Sequence, residues 1–310
     1  MSLSGILPVN KPEGLRSTTC VQKIRSILGR RVKTGHGGTL DSTASGLLLV
    51  LVGQCTRLSN FVMDLPKCYE TEVTFGASTD TDDGSGQIIA RAPWEHITDD
   101  AIDSALCGFM GWRMQSPPAI SAVHVDGTRA HELARDGRAV IPQPKPVCFR
   151  RITRLSSIDA SGRVNFRVEC RKGTYIRSFA RDLGERLGSR AHVSKLVRLS
   201  SGPFSAQMAK SSDELFEMPR TALADEFISF DKLRKMFECY EADRASYDRL
   251  SHGQSIMLKG LKRGGGTSII SSGKVIVASD KIFSICTPSR CGGTLELSPA
   301  VNILINGGGE

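Results

Sequence analysis

Apolar residues recur along the chain with two spacings, and these spacings predict a mixture of strands and helices. Where every second residue is apolar, a half-buried strand is expected; where apolar residues recur every three or four positions, a helix is expected. The predicted strands are 6–9, 46–52, 69–75, 120–125, 147–158, 164–170 and 193–199. The predicted helices are 17–28, 58–62, 97–109, 131–136, 176–187, 213–216 and 227–237, and Ser17 or Thr18 is the expected N-cap of the first.

The stretch 33–53 places an aspartate between a glycine-rich loop and an apolar run. Residues 46–52 are too apolar to face water, and a run of this length that ends at a glycine favours a buried strand over a helix. Asp41 would therefore lie at the rim of a packed core, close to His36. Glycines allow close approach of backbone or of a guest molecule, and three precede the aspartate: Gly35, Gly37 and Gly38. Two interpretations stay open here, an active-site carboxylate and an Asp that caps a plain loop.

Other candidate positions follow from the same patterns. Tyr69 begins the inner face of strand 69–75, where a core tyrosine is the alternative interpretation. The acidic segment 78–86 lacks the ligand pattern of a calcium loop, so a hairpin connection is predicted. Tyr175 and Arg177 lie where a strand passes into helix 176–187. Within that helix Arg181 and Glu185 are four residues apart, which predicts an ordinary surface ion pair.

The C-terminal part has a different character. Short apolar runs separated by glycine-rich turns, at 268–270, 274–278, 283–286 and 301–305, indicate a small β-rich module. The predicted division is a domain at 1–235 followed by a module at 236–310.

Composition narrows the possible partners. The chain has 310 residues, of which 40% are hydrophobic, with a formal net charge of +9 and a pI of about 9.2. Such a charge favours nucleic acid or an anionic membrane surface as partner, and a solvated basic surface is the alternative. A basic cluster lies just upstream of Asp41 and consists of Arg25, Arg30, Arg31 and Lys33.

Other sequence features bear on the location of the protein. No apolar run approaches the ~20 residues that span a bilayer, and the N-terminus lacks a basic segment followed by a long apolar one, so a soluble cytoplasmic protein is expected. Nine cysteines without a Cys-x-x-Cys pair predict reduced thiols and no zinc site.

Six segments, in order between residues 5 and 204, resemble the TruB family of tRNA pseudouridine synthases. They are NKPEG, GHGGTLDSTASG, CYETEVTFGASTDTDDGSG, QSPPAISAVHVDGTRAHELARDG, KGTYIRSFARDLG and AHVSKLVRLSSGPF. The resemblance implies an α+β (mixed α/β) pseudouridine synthase fold: a central, largely antiparallel sheet flanked by helices, plus a small C-terminal β-rich, PUA-like RNA-binding module. It further implies that the substrate is tRNA, modified at the uridine at position 55 in the T-arm loop, with no membrane partner and no obligate protein partner.

The same resemblance implies a role for particular residues. Asp41 would be the catalytic nucleophile, Arg177 would pair with its carboxylate, and Tyr69 would stack on the target base. His36 would contact RNA, and Tyr175 and Leu196 would complete the base pocket. This chain departs from the family where Ser42-Thr43 follow the aspartate in place of Pro-Leu. It also lacks a Lys near His124 and a Tyr near His131.

The chemistry agrees with these residue types. Conversion of uridine to pseudouridine breaks the N1–C1′ bond and rejoins the base through C5 without net redox change, so no cofactor is expected. An ionised carboxylate is needed at C1′, and a nearby arginine keeps it ionised. The C5 proton needs an acceptor, for which Tyr69 is the candidate, with stacking alone as its alternative role. Arg30, Arg31 and Lys33 could supply phosphate contacts that offset the cost of flipping the base.

Three other functions compete with this one. A glycoside hydrolase also acts at an anomeric carbon, but it needs two carboxylates, and only Asp41 is well placed in the sequence. A non-catalytic RNA-binding or RNA-folding protein would use the same basic surface. A relative that modifies ribosomal RNA within a guide complex is disfavoured by the short C-terminal part.

Overall fold

The computed structural model describes residues 3–120, 124–125, 128–129, 142–266, 268 and 273–305. The helices there are α1 Ser17–Leu28, α2 Ser59–Asp64, α3 Asp99–Cys107, α4 Ile176–Arg186, α5 Ser212–Glu217, α6 Arg220–Asp225, α7 Phe230–Met236 and α8 Arg244–Ser251, with 3-10 turns at Gly53–Leu58 and Ala206–Met208. The strands are β1 Gly5–Lys11, β2 Thr34–His36, β3 Ala44–Val52, β4 Lys67–Phe75, β5 Ala77–Thr79, β6 Ile88–Arg91, β7 Gly111–Gln115, β8 His124–Val125, β9 Thr128–Arg129, β10 Lys145–Arg154, β11 Arg163–Cys170, β12 Ala191–Ser201, β13 Phe204–Ser205, β14 Lys210–Ser211, β15 Cys239–Glu241, β16 Ile256–Met257, β17 Val275–Ala278, β18 Ile282–Cys291 and β19 Thr294–Leu304.

These elements form two compact units. The first unit takes in the described residues of 1–40, 46–65 and 200–310, and the second unit those of 41–45 and 66–199. These structural units do not correspond to the two functional domains predicted from the sequence, so the boundary predicted near residue 235 stays a prediction.

In the first unit, β1 lies between β3 and β14, and its seven residues all pair antiparallel with β3. The short strand β2 also pairs with β3. Because β3 is flanked on both sides and buried along almost its whole length, its sequence is a continuous apolar run rather than an alternating one. The strand predicted at 46–52 is therefore confirmed, with two more residues at its start.

The C-terminal strands of the first unit form a separate five-stranded sheet in the order β15-β17-β18-β19-β16. One continuous hydrophobic core joins residues of this sheet to the preceding helices and to β3, and it includes Leu49, Phe61, Phe204, Phe237 and Phe283. The expected β-rich C-terminal module is confirmed.

In the second unit, β12, β4, β11, β10 and β7 lie side by side, and the pairs from β4 to β7 are antiparallel. The apolar stripe of α4 covers one face of this sheet. Four phenylalanine rings make the centre of that contact, with centroids 5.2 to 6.2 Å apart: Phe109, Phe149, Phe166 and Phe179. Together the two units confirm the mixed α/β fold with antiparallel strands and flanking helices.

Several local predictions can be checked against these elements. The hairpin predicted across the acidic segment is confirmed, because β5 and β6 pair antiparallel. Helix α1 begins at Ser17, but no side chain caps it. The Ser17 hydroxyl instead donates to the Leu40 carbonyl at 2.6 Å and accepts from the Leu40 amide at 3.0 Å, so the predicted cap was wrong. The loop before Asp41 uses this hydroxyl, which is then not available to the helix end.

Two predicted elements involve residues that the structure does not describe. The helix at 131–136 lies outside the described residues, as does the middle of the strand at 120–125. The helices α6 and α8 were not predicted, although α2 and α5, which are as short as α6, were. None of the described helices is both long and apolar enough to cross a membrane.

Candidate active site

Asp41 and Arg177 meet in the second unit. Asp41 lies in the turn that leads into β3, where its carbonyl accepts from the Ala44 amide at 3.2 Å. Arg177 is the second residue of α4. Its Nε atom is 3.0 Å from Oδ2 of Asp41, and the side chains are 7% and 43% exposed respectively. The Nε–H bond is not directed at an acceptor among the described residues, so the contact is an ion pair rather than a hydrogen bond.

Backbone carbonyls fix the other end of the guanidinium. Nη1 of Arg177 donates to the Thr81 carbonyl at 2.8 Å and to the Ile120 carbonyl at 3.2 Å. These two acceptors come from separate segments, the acidic turn after β5 and the chain that follows β7. A lysine has no planar fork and could not make both contacts while also reaching Asp41.

Asp83 is a second carboxylate near Arg177, and the sequence did not single it out. Its Oδ2 is 3.8 Å from Arg177 Nε and accepts from the Thr43 hydroxyl at 3.2 Å. Its Oδ1 accepts from the hydroxyls of Thr81 and Ser85, at 2.8 and 2.6 Å. Burial alone would raise the pKa of Asp83, but these hydrogen bonds and the Arg177 charge outweigh it and hold the pKa below its ordinary value.

Asp83 could have been found from the run of hydroxyl residues around it in STDTDDGSG, which was interpreted only as a hairpin connection. Its partner Thr43 is one of the two residues at which this chain departs from the TruB pattern after the aspartate. The Thr43 hydroxyl ties the Asp41 turn to the acidic turn.

Tyr69 is half-buried on β4, opposite Val168 of β11. Burial raises the pKa of its phenol, the positive charge of the Arg198 side chain and its hydrogen bond oppose the increase, and the negative charge of Asp41 adds a smaller increase. Arg198 is itself buried on β12. Leu196, two residues earlier on the same strand and also buried, shares its face.

Tyr175 precedes α4 and is held through its backbone. The Gln115 side chain accepts from the Tyr175 amide at 2.9 Å and donates to its carbonyl at 3.1 Å. Burial raises the pKa of the Tyr175 phenol, the charge of Asp41 raises it further, and Arg177 opposes the change. Both tyrosines therefore lie within electrostatic reach of Asp41. Gln115 carried no local signal of this contact, because Tyr175 is 60 residues away in the chain.

The predicted basic residues belong to the first unit. Arg31 and Lys33 line a cavity of about 480 Å³ together with two arginines that sequence reasoning missed, Arg57 and Arg220. Arg30 is exposed, and its carbonyl accepts from the Arg25 side chain at 2.9 Å. Four basic residues line this one concave surface, and their charge favours an anion such as phosphate.

His36 ends β2, also in the first unit. Its Nδ1 accepts from the Gly38 amide at 3.3 Å, which places the proton of the neutral imidazole on Nε2. The backbone beside it is closely packed: the Gly37 amide donates to the Leu49 carbonyl at 2.8 Å. A Cβ at Gly37 would overlap Cγ1 of Val62, so any other residue here would force Val62 or the loop to shift.

The chemistry of the second-unit site follows from this geometry. A half-exposed carboxylate held by a buried arginine can attack an electrophilic carbon or stabilise positive charge on it. A glycoside hydrolase would need a second carboxyl group able to donate a proton, which requires a raised pKa. Asp83, the carboxylate 3.8 Å from Arg177, is a poor acid because its pKa is lowered. Burial raises the pKa of the adjacent Asp82, but its carboxylate is held by Arg181 at 2.8 Å.

Comparisons with known proteins place the chain in a family. Residues 25–176 match the N-terminal domain of TruB family pseudouridylate synthases, and residues 177–244 match the C-terminal domain of tRNA pseudouridylate synthase B. The chain belongs to the TruB family of pseudouridine synthases. Its relatives include tRNA pseudouridine synthase B of Ruegeria sp. (strain TM1040), 43% identical over 73% of this chain and 74% of that protein. The Geobacter sulfurreducens protein of the same name is 33% identical over 94% of this chain and 95% of that protein.

Solved structures support the same fold. A crystal structure of a Cbf5-Nop10-Gar1 complex matches with a TM-score of 0.70 and 21% identity, over 97% of this chain and 84% of that chain. A structure of an H/ACA RNP bound to a substrate RNA containing 2′-deoxyuridine matches with a TM-score of 0.68 and 20% identity, with the same coverage. The pseudouridine synthase fold expected from the sequence is confirmed.

Proposed function

We propose that the protein converts uridine to pseudouridine at position 55, in the T-arm loop of tRNA, with Asp41 as the nucleophile. The observation that carries this proposal is the half-exposed Asp41 carboxylate held 3.0 Å from the buried Arg177. The relatives at 33 to 43% identity are named tRNA pseudouridine synthase B, which supports tRNA as the substrate.

Asp41 acts at C1′ of the target nucleotide. As the N1–C1′ bond breaks, the carboxylate bonds to C1′, and the freed uracil turns so that C5 faces the sugar. Formation of the C5–C1′ bond releases Asp41 as a free carboxylate. The C5 proton passes to water at the open side of the site and N1 takes up a proton from water, so the reaction consumes and releases no net proton. Arg177 remains protonated throughout and keeps the carboxylate ionised and oriented.

Tyr69 is assigned a stacking role. A tyrosine phenol is neutral at pH 7, burial raises the pKa of Tyr69 further, and a neutral phenol is a weak proton acceptor. Its ring can replace the stacking that the target base loses when it leaves the RNA loop. Tyr175 and Leu196 would form the remaining walls of the base pocket.

RNA binding is assigned to the basic residues of the first unit. His36, Arg30, Arg31 and Lys33 would contact the RNA backbone, and the cavity at Arg31 and Lys33 can receive one phosphate group. In functional terms we assign catalysis to residues 1–235 and a PUA-like RNA-binding role to 236–310. We also propose a cytoplasmic location and action without a cofactor or an obligate protein partner.

The decisive experiment maps pseudouridine in an unmodified tRNA transcript to the nucleotide, for wild type, Asp41→Asn and the control Asp225→Asn. Asp225 is exposed in the first unit. We expect product at the T-loop uridine with wild type and the control, and none with Asp41→Asn although its tRNA affinity is unchanged. Tight binding by all three proteins without product would instead support a non-catalytic RNA-binding function.

A further inference from the structure

Arg181 lies one turn after Arg177 on α4 and joins three segments of the second unit. Its Nη1 donates to Oδ2 of Asp82 at 2.8 Å, and its Nη2 donates to the Ser116 carbonyl at 2.8 Å. Nε and Nη2 also reach Oδ1 of the adjacent Asp182, at 3.1 and 2.9 Å. The predicted surface pair with Glu185 was wrong: Glu185 pairs with Arg190 instead. Arg181 points inward because two carboxylates and a carbonyl converge there.

Asp82 links this arginine to the active site. It lies between Thr81, whose carbonyl accepts from Arg177, and Asp83, whose carboxylate lies 3.8 Å from Arg177. Asp82 is buried and has a φ angle of 58°, in the left-handed region that side-chain-bearing residues rarely adopt. A residue in such a conformation persists only where its surroundings hold it. Movement of Asp82 would displace both of its neighbours and hence two contacts of Arg177.

The Ser116 carbonyl also connects Arg181 to the end of β7. It accepts from the Ser178 hydroxyl at 2.8 Å as well as from Arg181. The preceding residue, Gln115, holds the backbone of Tyr175. Arg181 therefore fixes the acidic turn and the end of β7 against the same helix that carries Arg177.

We propose that Arg181, acting through Asp82, is a positioning residue for the isomerisation. It holds the acidic turn against α4 so that Thr81 and Asp83 orient Arg177, which in turn orients Asp41. This inference rests on the proposed function, and it adds a residue that touches neither the substrate nor Asp41.

A competing structural explanation is that β12 alone holds the turn. The Val193 amide donates to the Asp82 carbonyl at 3.1 Å, and the Gly84 amide donates to the Val193 carbonyl at 2.8 Å. If these backbone bonds suffice, loss of the Arg181 side chain will cost stability but not the rate of the chemical step. The two explanations therefore differ in a measurable rate.

The chain offers a matched control in Arg154. This arginine is 19% exposed, against 21% for Arg181, and it also binds two carboxylates and one carbonyl. Its partners are Asp99, Asp103 and the Ser156 carbonyl. They lie on α3 and after β10 and make none of the Arg177 or Asp41 contacts described above. Arg154→Met thus reproduces the loss of a clustered arginine without touching the proposed link.

The experiment measures single-turnover pseudouridine formation with saturating enzyme and an unmodified tRNA transcript, together with the tRNA Kd and the Tm. The variants are Arg181→Met, Arg181→Lys, Asp82→Asn, Arg181→Met with Asp82→Asn, and Arg154→Met. We expect Arg181→Met and Asp82→Asn each to slow the chemical step by roughly 10- to 100-fold, as expected for a misplacement of about 1 Å. The double variant should be no slower than the slower single variant, because both remove one link.

Further readouts separate positioning from general stability. Arg181→Lys should recover part of the rate, since it keeps a charge beside Asp82 but not the fork. Arg154→Met should lower the Tm while leaving the single-turnover rate at the wild-type value. A wild-type rate in Arg181→Met would overturn the inference, as would a weakened tRNA Kd with an unchanged chemical rate. Should Arg181→Met fail to fold, the single-turnover rate of the nearly isosteric variant Asp82→Asn is compared with that of the wild type instead. A wild-type rate in Asp82→Asn would then overturn the inference. Absence of product from the wild type would overturn the proposed function as well.

Discussion

Arg177 is buried, whereas the Asp41 carboxylate that it contacts at 3.0 Å is nearly half exposed. The arginine therefore orients the carboxylate from one side and leaves its other side open to a substrate. A bound nucleotide would exclude water from that open side, and the ion pair would then act in a medium of lower dielectric constant. In the proposed reaction, this orientation would present the carboxylate to C1′ of the target nucleotide.

Replacement of Arg177 tests this relationship. Arg177→Lys retains the positive charge but cannot keep the Thr81 and Ile120 carbonyl contacts together with Asp41. We expect single-turnover pseudouridine formation to fall by about 100-fold, the typical effect of a small misplacement in an active site, with the tRNA Kd unchanged. Arg177→Met should be slower still and should also lower the Tm, because it leaves Asp83 buried without its positive neighbour. A wild-type rate in Arg177→Lys would show that charge alone suffices.

The lowered pKa of Asp83 predicts how the free energy of unfolding depends on pH. Its pKa is lower in the folded protein than in the unfolded chain, so its ionised form stabilises the fold above a pH of about 4, and this contribution disappears as the pH falls through the folded pKa. Asp83→Asn leaves hydroxyl donors poorly satisfied and should lower the free energy of unfolding at pH 7 by about 1–3 kcal/mol.

The difference in unfolding free energy between wild type and Asp83→Asn should therefore shrink as the pH is lowered from 5 towards 3. It can be measured by denaturant titration at each pH. Burial raises the pKa of Asp82 and Asp182, which act in the opposite direction, but both proteins contain them and the comparison cancels their effect. A difference that stays constant down to pH 3 would contradict the assigned role of the Asp83 charge.

The basic cavity predicts how the affinity for tRNA depends on salt concentration. If Arg31 or Lys33 contacts a phosphate, the protein in which it is replaced by alanine releases one fewer counterion on binding. The slope of log Kobs against log salt should then decrease in magnitude by roughly 0.7 to 0.9 for each phosphate that the variant no longer neutralises. Arg57→Ala and Arg220→Ala should act in the same way, since these residues line the same cavity.

The control for this salt series is Arg190→Ala, since Arg190 is an exposed arginine of the second unit that pairs with Glu185 at 3.2 Å. Its slope should match that of the wild type. Tight tRNA binding with the wild-type slope in all four cavity variants would remove the cavity from the RNA interface.

Much of the fold could be predicted from local pattern alone. The continuous apolar run of β3 and the alternation along β4 and β11 are signals that lie within single segments. The buried stripe of α4 is equally local. By contrast, the N-cap predicted for α1 was wrong because Leu40, 23 residues later, binds the Ser17 hydroxyl. Tertiary contacts decide such cases, and no local pattern reports them.

The residues of the candidate site can likewise be divided into those that a local sequence pattern indicates and those that it does not. Asp41, Tyr175 and Arg177 were candidate positions because each lies beside a recognisable strand or helix boundary, whereas the roles expected of them came from the resemblance to the TruB family. Asp83 and Arg181 were missed or misassigned because their partners are distant in sequence: Arg181 binds Asp82, 99 residues earlier, in preference to Glu185 four residues later. A helical spacing of four predicts only that two side chains can meet, and a buried carboxylate competes more strongly than an exposed one.

Gly37 provides a test of the loop that leads to Asp41. An added Cβ would overlap Cγ1 of Val62 and come within 3.4 Å of Cβ of Leu49, so Gly37→Ala should destabilise the protein by about 1–3 kcal/mol through overpacking. Val62→Ala removes the obstructing methyl groups and on its own should cost about 1–3 kcal/mol through the cavity that it leaves. The double variant should be less destabilised than the sum of the two, because the new methyl group occupies part of that cavity.

Gly35→Ala is the matched control, since a Cβ there meets no atom of the described residues within 4 Å. Equal stability of Gly37→Ala and Gly35→Ala in denaturant unfolding would mean that the loop does not need this close approach, and glycine at position 37 would then require another explanation.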